Sequence, residues 1–288
     1  MLKALKSDTR FATFDQLAEV DVGIVTGANK FFLVTDEVVE TFGLQRWAHP
    51  MFGRSDHVDG IIFDKANLTA NKKAGLPTNF LWFDDVALSS FPASVQRYLH
   101  SGEEQGLPKR YKCSVREPWF RVPSVYASPV AMLKRAHHYP RLVLNKAKSF
   151  TTDTAYRIKL KETTAVSLVY SFLNSLTCLS AELEGRHYGG GVLELVPSEI
   201  ERLILPICNV TEPELKELDE RFRACSDDSQ ILREQDGVVL RGVGLSANDL
   251  SALHGAWDRL RNRRQRNSGS NDDQVSSIKN GASASGVS

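Results

Sequence analysis

The chain has 288 residues, of which 42% are hydrophobic and 25% are charged. This composition is typical of a globular protein with one sizeable core or two modest ones, and it excludes a largely disordered chain. No segment reaches the roughly eighteen uncharged apolar residues of a membrane helix, and the N-terminus lacks the apolar region of a secretory signal. The sequence therefore predicts a cytoplasmic protein with no membrane contact.

Charge is distributed unevenly along the chain. The net charge is only +1, but the segment 109–148 holds ten basic residues and one acidic residue. That segment carries +9, so the remainder carries −8. Such an asymmetry is a candidate footprint for a polyanion such as nucleic acid. The alternative, a solvated basic face that pairs with acids elsewhere in the fold, is equally open.

In chain order, the first predicted elements are strands at 20–25 and 30–34, joined by a turn at 26–29 that contains glycine. Hydrophobic runs bounded by turn residues predict the further short strands 60–63, 80–83, 120–122, 141–145, 155–160 and 191–195. Helical stretches interrupt these strands. The order indicates a mixed α+β fold and not an alternating βαβ fold.

The apolar spacing of three and four residues predicts one long core helix over 164–184, which Gly185 ends. Two helices follow, one behind a capping box at Thr211 and one capped by Ser246. Between them, the apolar run 238–240 is interpreted as a strand or hairpin edge. The Ser/Gly/Asn/Asp-rich end of the chain predicts a disordered tail.

Four local sequence patterns follow one another along the chain. They are G-I-V-T-G-A-N-K-F-F at 23–32, R-L-V-L-N at 141–145 beside Lys146 and Lys148, L-E-G-R-H-Y-G-G-G-V-L-E-L at 183–195, and W-D-R-L-R-N-R-R at 257–264. Together they resemble the C-terminal specificity region of gamma-class, TaqI-type adenine-N6 DNA methyltransferases. The resemblance covers most of residues 14–266.

This resemblance implies an α+β target-recognition domain with a mixed sheet and a long core helix, followed by a small C-terminal helical region and a disordered tail. The expected division is a lead-in at 1–13, the recognition domain at 14–210, the helical region at 211–264 and the tail at 265–288. Such a domain reads double-stranded DNA and presents the target adenine to a catalytic domain, in a restriction-modification or phage-defence system.

The residues expected to contact DNA combine basic, amide, aromatic and glycine positions. Arginine and lysine hold phosphates or guanine, asparagine can pair with adenine in the major groove, and glycines let the backbone approach closely. The candidates are Asn29, Lys30, Lys112, Arg116, Arg121, Arg141, Asn145, Lys146, Lys148, Arg186, Tyr188, Gly189 and Gly190.

Several of these candidates have structural alternatives. Asn29 and Asn145 could equally be turn residues. The glycines 189–191 could form a plain loop from a helix to a strand. The aromatic residues Tyr111, Trp119 and Phe120 lie among the cations, and at least one of the adjacent Trp119 and Phe120 is expected to point inward.

Catalysis is not expected from this chain. The resemblance implies a Pro-Pro motif that holds the flipped adenine and a glycine loop for S-adenosylmethionine, but the chain has no Pro-Pro dipeptide and only 22 residues precede Gly23. We therefore expect no catalytic residue, and S-adenosylmethionine is implied only for a catalytic methyltransferase subunit or a lost N-terminal domain. The four cysteines are widely spaced, so neither a metal site nor a disulfide is expected.

Two alternatives to a DNA-reading module remain. The chain could be a protein-interaction subunit that docks a catalytic methyltransferase or a translocase through its helices. It could also be a fragment of a full-length methyltransferase.

Overall fold

The computed structural model describes residues 8–84, 87–225 and 227–281, with side chains up to Arg266. The chain divides into two compact units. Unit 1 comprises Met1–Glu19, Lys134–Arg141 and Lys161–Ser288, and unit 2 comprises Val20–Leu133 and Leu142–Leu160. The consecutive domains expected from the sequence stay a prediction.

The strands are β1 (Phe11–Thr13), β2 (Ala18–Val22), β3 (Leu33–Val34), β4 (Ala48–Pro50), β5 (Ile62–Phe63), β6 (Asn79–Leu81), β7 (Val130–Leu133), β8 (Arg135–Ala136), β9 (Leu142–Asn145), β10 (Ala155–Leu160), β11 (Arg186–Tyr188), β12 (Val192–Glu194) and β13 (Ile204–Pro206). The α-helices are α1 (Phe14–Leu17), α2 (Asn29–Phe32), α3 (Asp36–Phe42), α4 (Lys65–Lys73), α5 (Ala93–Glu104), α6 (Tyr111–Ser114), α7 (Ala165–Phe172), α8 (Ser175–Glu184), α9 (Pro197–Ile200), α10 (Glu212–Ala224), α11 (Asp228–Gly242) and α12 (Ala247–Gly281).

Unit 2 is built on a five-stranded mixed sheet with the order β2-β10-β7-β9-β5. β7 pairs antiparallel with both β10 and β9, whereas β5 pairs parallel with β9. Every residue of β7 and β9 is buried. Strands buried on both faces read as continuous apolar runs, which explains why 141–145 was recognisable from sequence. A second, antiparallel sheet has the order β3-β6-β4.

Aromatic side chains dominate the larger core of unit 2. Phe31 stacks on Tyr98 with ring centroids 4.6 Å apart and lies 5.4 Å from the ring of Trp119. A Cβ atom on Gly102 would lie 2.5 Å from the Trp119 ring, so α5 packs against it only because this residue is glycine. Phe120 belongs to the same core.

Unit 1 contains the antiparallel pair β1–β13, the three-stranded sheet β11-β12-β8, helix α1 and the helices from α7 onward. Trp257 of α12 is fully buried, 6.0 Å from the ring of Tyr139. Phe14 meets Phe172 edge-on at 6.1 Å. The four cysteines form no disulfide.

The α+β class and most of the predicted strands are confirmed: β5, β6, β9, β10 and β12 lie within or overlap the expected runs. The helices behind Thr211 and Ser246 are also confirmed as α10 and α12. The predicted tail at 265–288 begins within the bounds of α12, and residues 282–288 lie outside the described part of the chain.

The single long helix over 164–184 is wrong, because the segment forms α7 and α8 with a bend of 78° between them. Asn174 lies at the break. Its side-chain oxygen accepts a hydrogen bond from the Thr177 amide at 2.9 Å, and its Nδ2 donates to the Ser171 carbonyl at 2.7 Å. The side chain thus caps α8 at its first turn.

Three predicted strands also need correction. The run 238–240 lies inside α11, where Leu232, Gln235 and Val239 recur on one buried helical face. The segment 30–34 is mostly helix α2, and only Leu33–Val34 is a strand. Residues 120–122 form no strand, and Phe120 and Val122 instead pack as core side chains of an irregular segment.

Within the described residues, no single helix combines the length and the apolar character of a membrane span. The bent pair α7 and α8 reaches that threshold only when the two helices are taken together.

Candidate nucleic-acid interface

The most exposed basic and aromatic surface of unit 2 is residues 109–116, which we name the basic turn. Lys109, Arg110, Tyr111 and Lys112 are all exposed, and α6 begins at Tyr111. The Tyr111 side chain is 75% exposed, and the Lys112 ammonium lies 5.2 Å from the centre of its ring. Four consecutive side chains thus present three positive charges and one aromatic face to solvent.

The basic turn packs against the motif at 23–32. Arg116 donates from Nη1 to the Thr26 carbonyl at 2.8 Å and from Nη2 to the Val25 carbonyl at 2.7 Å. Burial lowers the pKa of Arg116. Gly27 has φ +77°, and a Cβ atom there would lie 2.7 Å from Cβ of Lys112. Arg116 therefore links the basic turn to the motif at 23–32, and its guanidinium is engaged within unit 2.

Asn29 is also engaged within unit 2. Its side-chain oxygen accepts a hydrogen bond from the Thr26 hydroxyl, and its Nδ2 donates to Asp153 at 3.3 Å. The neighbouring Lys30 is exposed. Within this motif, Lys30 is therefore exposed to solvent, while Asn29 stabilises the turn at 26–29.

Two clefts border the basic turn, and Val115 and Arg116 line both of them. The first, of about 410 Å³, also contains Lys112 and Arg157. The second, of about 520 Å³, also contains the exposed Arg121. Val115 forms an apolar ridge between them, and its side chain is 69% exposed.

The predicted candidate Asn145 is buried at the end of β9. Its Nδ2 donates to the carbonyls of Ser128 and Ser149 at 2.9 and 2.7 Å, and its Oδ1 accepts from the Ser149 amide at 3.0 Å. The amide thus shapes the loop after β9. That loop exposes Lys146 and Lys148, and Lys148 adopts the left-handed φ of 52°.

In unit 1 the third motif forms a β-hairpin, β11 to β12, which we name the glycine hairpin. Arg186 lies opposite Glu194, and Tyr188 lies opposite Val192. All three side chains of β11 are exposed, and a Cβ atom on Gly189 or Gly190 would meet nothing within 4 Å. The glycines therefore join two strands, where the sequence indicated a turn between a helix and a strand.

A buried ion pair anchors this hairpin. Arg264 Nη2 lies 2.7 Å from Glu182 Oε1, with both side chains fully shielded from solvent. The same guanidinium donates to the carbonyls of Gly191 and, at 2.8 Å, His137. Neither charged residue is among the candidates expected from the sequence, although Arg264 closes the fourth motif. Its position in that motif is the one sequence signal that points to it.

Other cations of unit 1 are held by neighbours. Arg186 donates to Glu199 at 2.8 Å, and this hydrogen bond raises the pKa of Arg186. Arg141 lies 5.3 Å from the ring of Phe222. Two further cations of the +9 segment, Lys134 and Arg135, contact the buried Glu194 at 3.1 and 2.8 Å.

The candidates therefore separate into two groups. Unit 2 holds Asn29, Lys30, Lys112, Arg116, Arg121, Asn145, Lys146 and Lys148. Unit 1 holds Arg141, Arg186, Tyr188, Gly189 and Gly190. Within unit 2, Lys112 and Arg116 share the first cleft. Within unit 1, Arg186, Tyr188, Gly189 and Gly190 all lie on the glycine hairpin.

Comparison with known proteins places the chain in a family. The type II methyltransferase M.AccI of Acinetobacter calcoaceticus is 22% identical over 196 residues, which cover 66% of this chain and 35% of that protein. Among solved structures, the type IIG restriction endonuclease BpuSI gives a TM-score of 0.55 at 13% identity, covering 90% of this chain and 31% of that chain.

The type IIL restriction-modification enzyme MmeI, solved in complex with DNA, gives a TM-score of 0.42 at 11% identity over 89% of this chain and 34% of that chain, which is too low to compare folds. The chain spans about a third of the length of M.AccI and BpuSI. Residues 1–240 match the family described as "Type II methyltransferase M.Eco57I, C-terminal domain". The predicted resemblance to a methyltransferase C-terminal region is thus confirmed, and the chain belongs to the family of the M.Eco57I C-terminal domain.

Proposed function

We propose that this chain is the DNA target-recognition domain of an adenine-N6 DNA methyltransferase. The observation that carries the proposal is the basic turn. Lys109, Arg110 and Lys112 are exposed, and none of the three forms an ion pair with another described residue. Exposed cations that no carboxylate neutralises can replace the counterions of DNA phosphates, and the release of those counterions favours binding.

Further exposed cations extend this phosphate-binding role. We assign Lys30, Arg121, Lys146 and Lys148 to the DNA backbone, because all four are exposed on unit 2. Asn29, Arg116 and Asn145 act through the loops that they hold. Their polar atoms are engaged with Thr26, Val25 and Ser149, so they position the contact residues.

The glycine hairpin is the proposed reader of base edges. β-Strands can enter the major groove, and β11 is the edge strand of the three-stranded sheet β11-β12-β8. Exposed glycines at the tip of the hairpin let the backbone approach the bases closely. Glu199 accepts a hydrogen bond from Arg186 Nε and so positions the exposed guanidinium beside that tip, where Arg186 and Tyr188 supply a cationic and an aromatic contact. The buried pair of Glu182 and Arg264 restricts movement of the turn, which sequence reading requires.

Catalysis is assigned to another polypeptide segment. The family membership and the likeness to a type II methyltransferase support a catalytic methyltransferase subunit or domain as the partner. S-adenosylmethionine would bind to that partner, which would methylate an adenine within a restriction-modification system. Adenine as the target base rests on the sequence resemblance.

Selection of binding sites from a random duplex library tests the reading of sequence. The chain is expected to enrich one shared sequence, whereas Tyr188→Ala and Arg186→Ala retain low-salt binding but lose the enrichment. Lys216→Ala is the matched control, because Lys216 is an exposed cation on α10 of the same unit. Enrichment that survives both hairpin substitutions would contradict the assignment of the hairpin.

Co-purification with the catalytic partner tests the choice of base. Genomic DNA is expected to gain N6-methyladenine only when both polypeptides and S-adenosylmethionine are present. Methylated cytosine in place of methylated adenine would contradict the adenine assignment. Methyl transfer by this chain alone would contradict the assignment of catalysis to a partner.

A further inference from the structure

We infer that the basic turn carries an apolar wedge, Tyr111 and Val115, which enters a base step of bound DNA and unstacks it. This inference rests on the proposed DNA-binding function and describes how unit 2 holds the duplex.

The first support is exposure. Tyr111 and Val115 are 75% and 69% exposed, more than any other large hydrophobic side chain in the described residues. Tyr111 begins α6 and Val115 is its C-cap, four residues later. Residues four apart on a helical turn project from the same side. The two side chains therefore form one apolar projection, which favours a contact surface.

The second support is the charge around the projection. Lys109 and Arg110 precede Tyr111, and Lys112 follows it, so three exposed cations flank the wedge. The Lys112 ammonium lies beside the Tyr111 ring. In DNA a base step is bordered by phosphates, and minor-groove proteins insert apolar side chains between bases while cations hold the backbone. The arrangement of charge and apolar surface matches that ligand.

The third support is the set of contacts that hold α6, the helical turn that carries the wedge. Cys113, between the two wedge residues, is fully buried, and Arg116 binds two carbonyls of the motif. Gly27 allows the motif backbone to approach Lys112 closely. Side chains that separate stacked bases must hold their positions, and these contacts hold α6 against the rest of unit 2. The clefts on both sides of Val115 give room for a displaced base.

The test compares two duplexes that differ only in one central mismatch. Unstacking costs more free energy in a paired duplex than at a mismatch, so a wedge favours the mismatched duplex. By fluorescence anisotropy at low salt, the full chain is expected to bind the mismatched duplex about five-fold or more tightly. Tyr111→Ala is expected to reduce this preference to near one, while Tyr111→Phe retains it.

Val238→Ala is the control, because Val238 is an exposed apolar side chain on α11 to which no DNA contact is assigned. It is expected to leave the affinity for both duplexes, and therefore the preference, unchanged. Equal binding of both duplexes by the unsubstituted chain, or a preference that persists in Tyr111→Ala, would overturn the wedge while DNA binding stands. Failure to bind either duplex at low salt would instead overturn the proposed function.

Discussion

Glu182 and Arg264 form an ion pair that is shielded from solvent and joins α8 to α12 in unit 1. Its guanidinium also holds the Gly191 and His137 carbonyls, so one side chain fixes the hairpin turn and the segment after β8. Breaking a buried pair by removing one partner leaves a charge without compensation. The pair thus links the stability of unit 1 to the shape of its candidate interface.

The substitution Glu182→Gln is expected to lower the free energy of unfolding by about 3–5 kcal/mol, because Arg264 remains charged and buried. Urea denaturation at neutral pH measures this loss. Glu184→Gln is the control, since Glu184 pairs with an exposed Arg202, and its loss should stay below about 1 kcal/mol. Equal losses in the two variants would contradict the structural role of the buried pair.

Asp21 gives unit 2 a defined pH dependence. The hydrogen bond from the Tyr126 hydroxyl lowers the pKa of Asp21 below its ordinary value of 3.8, with further lowering by Arg157 and Lys159 that opposes the effect of burial. A lowered pKa in the folded state means that the ionised carboxylate stabilises the fold above the ordinary value. That contribution is lost as the pH falls through the lowered pKa.

We therefore expect Asp21→Asn to be less stable than the unsubstituted chain from pH 7 to 5, with a gap that narrows below pH 3.8. Denaturant titrations at a series of pH values measure the gap. Tyr126→Phe removes the hydrogen bond but keeps a ring over Arg157, and it should reduce the pH-dependent part. A gap that widens as the pH falls would contradict this account.

The residue types of the candidate site could be predicted from sequence, but their roles could not. Asn145 and Arg116 were selected for contact with DNA, yet both bind backbone carbonyls of the fold. Tyr111, Trp119 and Phe120 lie in one cationic run, and only Tyr111 is exposed. Exposure depends on long-range packing, which neither a local pattern nor a charge count contains.

At the scale of elements, strands with continuous apolar runs were predictable and helix breaks were not. The apolar spacing over 164–184 continues through the bend because both α7 and α8 are buried. The bend is set by the side chain of Asn174, whose capping hydrogen bonds have no periodic signature. The run 238–240 looks like a strand because valine favours strands, but burial repeats at helical spacing from Ile231 to Leu240.

Gly27 and Gly190 provide a matched pair of substitutions that tests how closely α6 packs against the motif at 23–32. Both have a positive φ, near +77°, so alanine is strained at either position. Only at Gly27 would the new Cβ also lie 2.7 Å from Lys112. Gly27→Ala should therefore lower the free energy of unfolding by about 1–3 kcal/mol more than Gly190→Ala, because overpacking adds to the strain.

Denaturant unfolding of both glycine variants measures this difference. Gly27→Ala should also displace the basic turn and weaken duplex binding, since α6 rests on the motif. Indistinguishable stabilities would show that the motif does not support the turn.

At the scale of the whole molecule, the family and the α+β class followed from ordered motifs, whereas the electrostatic surface did not follow from charge alone. Lys134 and Arg135 of the +9 segment are held by Glu194, about sixty residues away in sequence, and Arg141 packs on Phe222. In unit 2, Lys109, Arg110 and Lys112 of that segment are exposed and form no ion pair with another described residue. Internal pairing and exposed positive charge, the two interpretations of the +9 segment, therefore both occur, in different parts of the chain.

Replacing the three cations of the basic turn together tests their share of DNA binding. Lys109→Gln, Arg110→Gln and Lys112→Gln in one chain should reduce the slope of log K against log salt by about three, because each phosphate contact contributes about 0.9. Lys216→Gln, an exposed cation of unit 1, should leave the slope unchanged. Equal slopes in all three proteins would show that the basic turn does not contact phosphates.

The most direct test of the central claim is the affinity of the unsubstituted chain for a random-sequence duplex, measured from about 50 to 200 mM salt. A DNA-reading domain with these exposed cations is predicted to bind at low salt, and its log K should fall linearly with log salt with a slope of about −3 to −6. No binding at the lowest salt, or an affinity that does not change with salt, would contradict the claim that this chain reads DNA.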